Sequence, residues 1–181
     1  PGPMLTISPI HLTNWVDQNR DQLKPPVGNK CIWTDREFIV MVVGGPNARK
    51  DFHINEGEEL FFQVEGDITV RIMEDGKPRD IPVRQGEMFL LPAKIPHSPQ
   101  RPANTVGVVV ERQRKPTEKD FLRWYCESCG NVLHEASFDL KDIGVQIKAA
   151  IETFFGNEAH RTCKKCKAVM QPPAPAAPAK K

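Results

Sequence analysis

The 181-residue chain has no apolar run approaching the roughly 20 residues that cross a membrane, and no secretory-signal pattern. It has no excess of either charge. Its 25 basic residues stand against 23 acidic ones, a formal net charge of +2, and the basic residues fall in short runs at 112–115, 164–167 and 180–181. A nucleic-acid surface needs Lys and Arg clustered on one face, so that partner is excluded, as is a membrane. The cysteine count is odd, at five, and the spacing is paired rather than scattered, which excludes a secreted disulfide framework. A cytoplasmic protein is expected. Helical stretches long enough to serve as crossovers are missing between the strand-like segments, and that excludes a parallel α/β sheet.

What the chain does have is a rhythm of short strand patterns punctuated by Gly, Pro and Asp. Strands are predicted over 31–33, 38–43, 51–53, 60–64, 68–73, 80–83, 87–91 and 105–112, with Asp75-Gly76 as the strongest hairpin signal. Such spacing points to a mainly β architecture, an antiparallel sandwich or closed barrel. A helix is predicted ahead of it over about 12–23, with Thr13 or Asn14 as N-cap, ended by Pro25-Pro26. Residues 27–29 form a loop that could lie across a cavity mouth. Cys31 is a small packed hydrophobe, with no histidine marked nearby to activate it. Beyond the barrel, residues 121–125 lead into the first cysteine pair and 132–140 hold a short strand. Asp142 caps a helix whose apolar stripe is Ile143, Ile147, Ile151 and Phe154, with Gly156 at its C-cap. The expected organisation is a protease scar at 1–3, left out of the fold, then a barrel with its N-terminal helix over 4–115. A cysteine-rich segment follows over 116–170, and a disordered Pro/Ala tail over 171–181.

Two histidines and a carboxylate sit in the strand region: His53, Glu59 and His97. Imidazole nitrogens and carboxylate oxygens bind divalent metals, and two His with one carboxylate leave open positions on the ion, the arrangement of non-haem iron(II) oxygenases. In one unbroken strand His53 and Glu59 would lie about 20 Å apart at ~3.3 Å per residue. The turn residues Asn55-Glu56-Gly57 fold the chain back and remove that objection. Any one of these side chains alone would be read as a hydrogen-bonded barrel residue; the three together are read as a metal site.

Cys126-x-x-Cys129 and Cys163-x-x-Cys166 give a second, four-thiolate site. Gly130 relieves crowding after the first knuckle, as in rubredoxin-like and zinc-ribbon sites. A closed tetrahedral sulfur set suits zinc or iron and leaves no position for substrate, so the site is read as structural. His134 and His160 are surplus to it, and His11 is read as a surface residue.

His53-x5-Glu59-x6-Gly66 and Gly86-x5-Pro92-x4-His97 look like the two motifs of the cupin superfamily, with Asp51-Phe52-His53 where His-x-His is usual. One histidine ligand is therefore missing. Lys94 stands where glycine is common, and Arg101 where asparagine often sits. With L-K-P-P-V-G-N29, V-V-G-G-P-N47-A-R49, H97-S-P-Q-R101-P, V-V-E111-R-Q-R and W-Y-C126, the stretch from about 12 to 166 closely resembles the 3-hydroxyanthranilate 3,4-dioxygenase family.

That resemblance implies a cupin double-stranded β-helix and Fe(II) on His53, Glu59 and His97. It implies extradiol cleavage of 3-hydroxyanthranilate by O2 to 2-amino-3-carboxymuconate semialdehyde, the precursor of quinolinate. It also implies a homodimer, and an iron (or zinc) on the four cysteines. Arg101 would grip the substrate carboxylate in bidentate fashion, Glu111 would accept from the amino group, and Arg49 would assist at the O2 position. Glu59 would double as proton acceptor, and Asp51 is either a ligand-orienting carboxylate or a turn residue. Two competing readings are another metal-dependent cupin enzyme and a non-catalytic zinc-ribbon adaptor. The Arg101/Glu111 clamp argues against the first, and the near-neutral charge against the second.

Overall fold

A computed structural model describes residues 7–25 and 28–174. The expected scar at 1–3, part of the loop at 27–29 and most of the Pro/Ala tail lie outside them; residues 171–174 carry no secondary structure. Among the described residues no helix is long and apolar enough to cross a membrane.

The strands form two antiparallel sheets. The first has the order β1 (Asn29–Cys31), β2 (Phe38–Gly44), β9 (Val106–Arg112), β4 (Glu59–Glu65), β7 (Met88–Leu91). The second runs β11 (Val132–Phe138), β10 (Asp120–Tyr125), β3 (Asp51–Ile54), β8 (His97–Gln100), β5 (Ile68–Glu74), β6 (Lys77–Val83). This is the mainly β architecture of antiparallel sheets that the residue pattern calls for. Period-two alternation sends one face of each strand inward: Phe61 from β4, Val70 and Ile72 from β5, Leu91 from β7 and Val109 from β9 close the core between the sheets. The β5–β6 hairpin turns on Asp75-Gly76, both at positive φ as a two-residue primed turn requires.

The N-terminal helix α1 (Leu12–Asn19) passes into a 3-10 turn, Arg20–Leu23. Its Val16 and Leu23 pack on Val42 and Val106, fixing it to the outside of the first sheet. Its cap differs from expectation. His11 sits at N-cap with extended backbone, its Nδ1 accepting from the Asn14 amide at 3.4 Å, so Thr13 and Asn14 lie inside the helix. An imidazole lone pair can serve there as a Ser or Asp oxygen does.

Three elements have no counterpart in the sequence reading: β8, β10 and a short helix near the C-terminus. β8 is four residues long, contains Pro99, and its ladder to β3 is the single pair His53↔His97, so it reads as loop. The short helix α3 (Glu158–Arg161) follows α2 (Ile143–Phe155) and is capped by Asn157. Asp142 caps α2 as expected, accepting from the Val145 amide.

β10 lies beyond the expected boundary at 115, yet pairs along β3 from Phe121↔Ile54 to Trp124↔Asp51. The cysteine-bearing segment thus shares a sheet with the barrel. Its own small core is Leu122, Trp124, Phe154 and Met170, with the Trp124 and Phe154 rings stacked at 4.2 Å.

Candidate metal centre

His53 on β3 and His97 on β8 are register partners in the second sheet, and Glu59 opens β4 in the first, so the three meet between the sheets. One ligand atom from each lies within 4.8 Å of the others, and all three residues are buried. Bonds of roughly 2.0–2.2 Å to a divalent ion would close that span with small side-chain shifts.

The hydrogen bonding favours an ion. His97 Nδ1 lies 2.9 Å from the Ile95 carbonyl, so it donates there and leaves the lone pair on Nε2. That Nε2 is 2.7 Å from Glu59 Oε2, a buried oxygen with no hydrogen-bond partner among the described residues. Two lone-pair-bearing atoms at such a distance need a cation between them. In the metal-free chain a proton can fill that role. Burial disfavours the Glu59 charge, but His97, His53 and Arg114 outweigh it and hold its pKa down to about 2. Burial likewise works against the charged His97 ring, and Glu59 overrides it upward.

Two further orphaned atoms border the triad. Glu111 on β9 is the register partner of Glu59. Its Oε2 accepts from Asn55 at 3.1 Å and pairs with Arg114 Nη1 at 2.8 Å, while its Oε1 is buried without a partner among the described residues. Burial, then the Glu59 charge, push its pKa up to about 7.

Arg101 is bridged to Asn47 through backbone hydrogen bonds, and its Nη1 is equally buried and unpartnered. Burial and the neighbouring Arg49 bring its pKa down to about 10, against the pull of Glu59. Gly107 leaves room for the guanidinium beside Gln63. A Cβ there would stand 2.3 Å from Gln63 Oε1 and 3.0 Å from Arg101 Nη1.

Arg49 is held rather than free. Its guanidinium pairs with the buried Asp51 carboxylate, and Gln100 brackets its backbone from both sides, donating to Arg49 O at 2.9 Å and accepting from Arg49 N at 3.2 Å. Asp51 is therefore a buried residue that opens β3, not a turn carboxylate.

Sequence reasoning missed Arg114, Asp120 and Asn55. Asp120 is fully buried, lies 2.5 Å from His53 Nε2, and is gripped by Arg114 at 2.8 and 2.6 Å. Arg114 falls in the short basic run at 112–115, and Asp120 falls just before the 121–125 segment, where the sequence marks no element. No local pattern marks either residue: the alternation of β9 turns Val109 and Glu111 inward, and Arg114 has the parity of the outward-facing Arg112.

The four cysteines gather as expected. Their sulfurs lie within 4.8 Å of one another, with Cys126 and Cys166 at 3.5 Å and Cys129 and Cys163 at 3.6 Å. Those separations are far too long for disulfides and suit the edges of a tetrahedron with metal–sulfur bonds near ~2.3 Å. The two knuckles repeat one backbone pattern. Cys126 N donates to Asn131 O and Gly130 N to Cys126 O; Cys163 N donates to Ala168 O and Lys167 N to Cys163 O. Gly130 at φ +73 and Lys167 at φ +67 are equivalent left-handed positions. His134 and His160 stay outside the set and stack on each other at 3.9 Å beside Trp124 and Phe154.

A family model described as 3-hydroxyanthranilic acid dioxygenase matches residues 4–155. A 3-hydroxyanthranilate 3,4-dioxygenase of Neurospora crassa is 52% identical over 159 residues, 88% of this chain and 88% of its own. The Bacillus thuringiensis enzyme of that name is 45% identical over 166 residues, 91% of this chain and 93% of its own. Among solved structures, a cupin-2 domain protein from Shewanella frigidimarina aligns with 57% of this chain and 93% of its own, at a TM-score of 0.47 and 14% identity. A buried two-histidine, one-carboxylate cluster, a four-cysteine cluster near the C-terminus, and relatives at 45–52% identity along most of the chain lead to one conclusion: the chain belongs to the 3-hydroxyanthranilic acid dioxygenase family.

Proposed function

We propose that this chain opens the aromatic ring of 3-hydroxyanthranilate with O2, giving 2-amino-3-carboxymuconate semialdehyde, which cyclises to quinolinate. The observation that carries this reading is that three of the six buried side-chain atoms without hydrogen-bond partners among the described residues, Glu59 Oε2, Glu111 Oε1 and Arg101 Nη1, belong to the barrel site. Leaving such groups unpaired costs about 1–3 kcal/mol each, more when charged, so the site is built for a ligand that supplies a metal, an amine and a carboxylate.

His53, Glu59 and His97 would hold Fe(II). The ion would supply coordination for substrate and O2 together and the electron transfer that lets triplet oxygen react. The rest is the protein's work. Arg101 pairs with the substrate carboxylate, and its fork fixes the ring's orientation. Glu111 Oε1 accepts a hydrogen bond from the substrate amino group, while Arg114 and Asn55 hold its other oxygen. Glu59 is ionised in the substrate-free site and takes up the phenol proton as the substrate binds. Arg49, braced by Asp51, adds positive charge beside the oxygen-facing side of the site. Burial of all these groups excludes water and strengthens every one of these contacts.

The four-cysteine cluster holds iron or zinc as a structural ion that ties the knuckle after β10 to the one after α3. A homodimer, on the strength of the family resemblance, and the cytoplasmic location expected from the sequence complete the reading. The test is to load the protein with Fe(II) anaerobically, add 3-hydroxyanthranilate, admit air and follow absorbance. Ring-opened product from the loaded chain, absent in His53→Ala, supports the reading; a correctly loaded chain that leaves the substrate intact overturns it.

A further inference from the structure

The buried charge that the proposed chemistry leaves without a role is Asp120, and its partner is Arg114, the same cation that holds Glu111. Asp120 lies on β10, two residues before Leu122, the register partner of His53. Its side chain is completely shielded, and its Oδ2 is 2.5 Å from His53 Nε2. It does not belong to the group of side chains that could share an ion, so it touches the metal centre only through the histidine.

Arg114 grips Asp120 with two nitrogens, Nε at 2.8 Å from Oδ1 and Nη2 at 2.6 Å from Oδ2. Its third nitrogen, Nη1, is 2.8 Å from Glu111 Oε2. The guanidinium is itself almost fully buried, 7% exposed, so neither carboxylate shares it with bulk water.

A neutral imidazole carries one proton. A carboxylate clamped against Nε2 keeps that proton on Nε2 and leaves the lone pair on Nδ1. It also fixes the ring plane, since the carboxylate cannot swing while Arg114 holds both its oxygens.

We infer that Asp120 is the positioning residue for His53, holding it in the tautomer and orientation that offer Nδ1 to the metal, and that Arg114 locks this pair to Glu111. The inference rests on the metal-centre reading above. It makes Glu111, Arg114, Asp120 and His53 one polar unit that runs from the substrate-facing carboxylate of β9 to the metal-facing imidazole of β3. Arg114 is the shared cation that lets two buried carboxylates stand close together. Metal affinity is then set partly from β10, outside both cupin motifs.

The experiment uses the full chain with its four cysteines occupied by zinc and the barrel site empty. Co(II) is titrated in and followed by its visible absorption, and 15N NMR reports which His53 nitrogen carries the proton before Co(II) is added. In the unsubstituted chain His53 is expected as the Nε2–H tautomer. In Asp120→Asn the tautomer shifts or mixes, and Co(II) binds about 10–100-fold more weakly, while the zinc content stays unchanged. Affinity within about twofold of the parent, with the same tautomer, overturns the inference.

Should Asp120→Asn fold poorly, Arg114→Lys carries the test. The ammonium keeps the charge but cannot hold both Asp120 oxygens and Glu111 at once, so a mixed His53 tautomer and a smaller loss of Co(II) affinity are expected. Parent-like values for both overturn the inference. A parent chain that takes up no Co(II) removes the metal-centre reading and this inference with it, whereas a parent that binds and variants that bind equally well remove the inference alone.

Discussion

Glu59 and Glu111 are register partners on β4 and β9, two buried carboxylates side by side in one sheet, with their ionisation driven in opposite directions. The imidazoles of the second sheet hold Glu59 at about 2, despite its burial; burial and Glu59 itself raise Glu111 to about 7. One sheet thus carries an ionised carboxylate at the proposed metal position and a carboxyl group poised near neutrality at the proposed amine position.

The first prediction follows from that contrast. In the metal-free chain the Glu111 carboxyl should titrate near 7, against an ordinary 4.5. Between those values the native state holds a proton that the unfolded chain has released, so native stability falls as pH rises through the window. Glu111→Gln should flatten this limb in denaturation curves taken from pH 4.5 to 7. A divalent ion beside Glu59 favours the charged form, so Zn(II) in the barrel site should move the Glu111 midpoint down. Carboxyl 13C shifts with and without Zn(II) measure both effects.

Arg101 should show opposite signs in stability and activity. Its buried Nη1 has no partner among the described residues, and burial already brings its pKa down to about 10. Arg101→Gln removes an uncompensated charge and should leave the ligand-free fold as stable or more stable by chemical denaturation. The same change removes a charge-assisted clamp of about 1.5–3 kcal/mol, so kcat/KM for the carboxylate substrate should drop by roughly 10–100-fold. Loss of stability alongside unchanged kinetics would mean that Arg101 serves the fold and not the substrate.

The cysteine knuckles make a paired test. Gly130 and Lys167 occupy equivalent positive-φ sites, but only the first is glycine. Left-handed backbone costs an L-residue about 1–2 kcal/mol, so Gly130→Ala should destabilise the zinc-loaded protein by that order. Lys167→Gly relieves the same strain while freeing the unfolded chain, and should be neutral or stabilising by up to ~1 kcal/mol. Thermal melts at fixed zinc concentration measure both.

Phe154 is the anchor of the C-terminal core, fully buried and stacked on Trp124. Phe154→Ala should cost about 3–5 kcal/mol. Because Trp124 lies on β10, which pairs with β3, the change should also loosen metal binding in the barrel. A stability loss with parent-like Co(II) affinity would show that the two regions are energetically separate.

Much of this was legible in the residues. The strand pattern, the Asp75-Gly76 hairpin, the Asp142 cap and the two side-chain clusters that could hold a metal rest on local chemistry: alternation, turn residues and ligand spacing. The missing parts depend on tertiary contacts that leave little local trace. β8 contains Pro99 and pairs with β3 at only one position, so it has no strand-like run to read. Asp120 and Arg114 lie in a polar stretch without periodicity, and only the pairing of β10 with β3 brings them beside His53. His11 caps a helix with a ring nitrogen, a role sequence patterns assign to Ser, Thr, Asp or Asn.

The central claim is that His53, Glu59 and His97 hold the iron that opens an aminophenol carboxylate ring with dioxygen. An oxygen electrode on the Fe(II)-loaded chain tests it most directly. The account predicts one O2 consumed per 3-hydroxyanthranilate added, no uptake by His53→Ala, and no uptake when the substrate lacks its carboxylate or its amino group. Equal uptake by parent and His53→Ala, or a parent that holds one iron in the barrel and consumes no oxygen with this substrate, would contradict it.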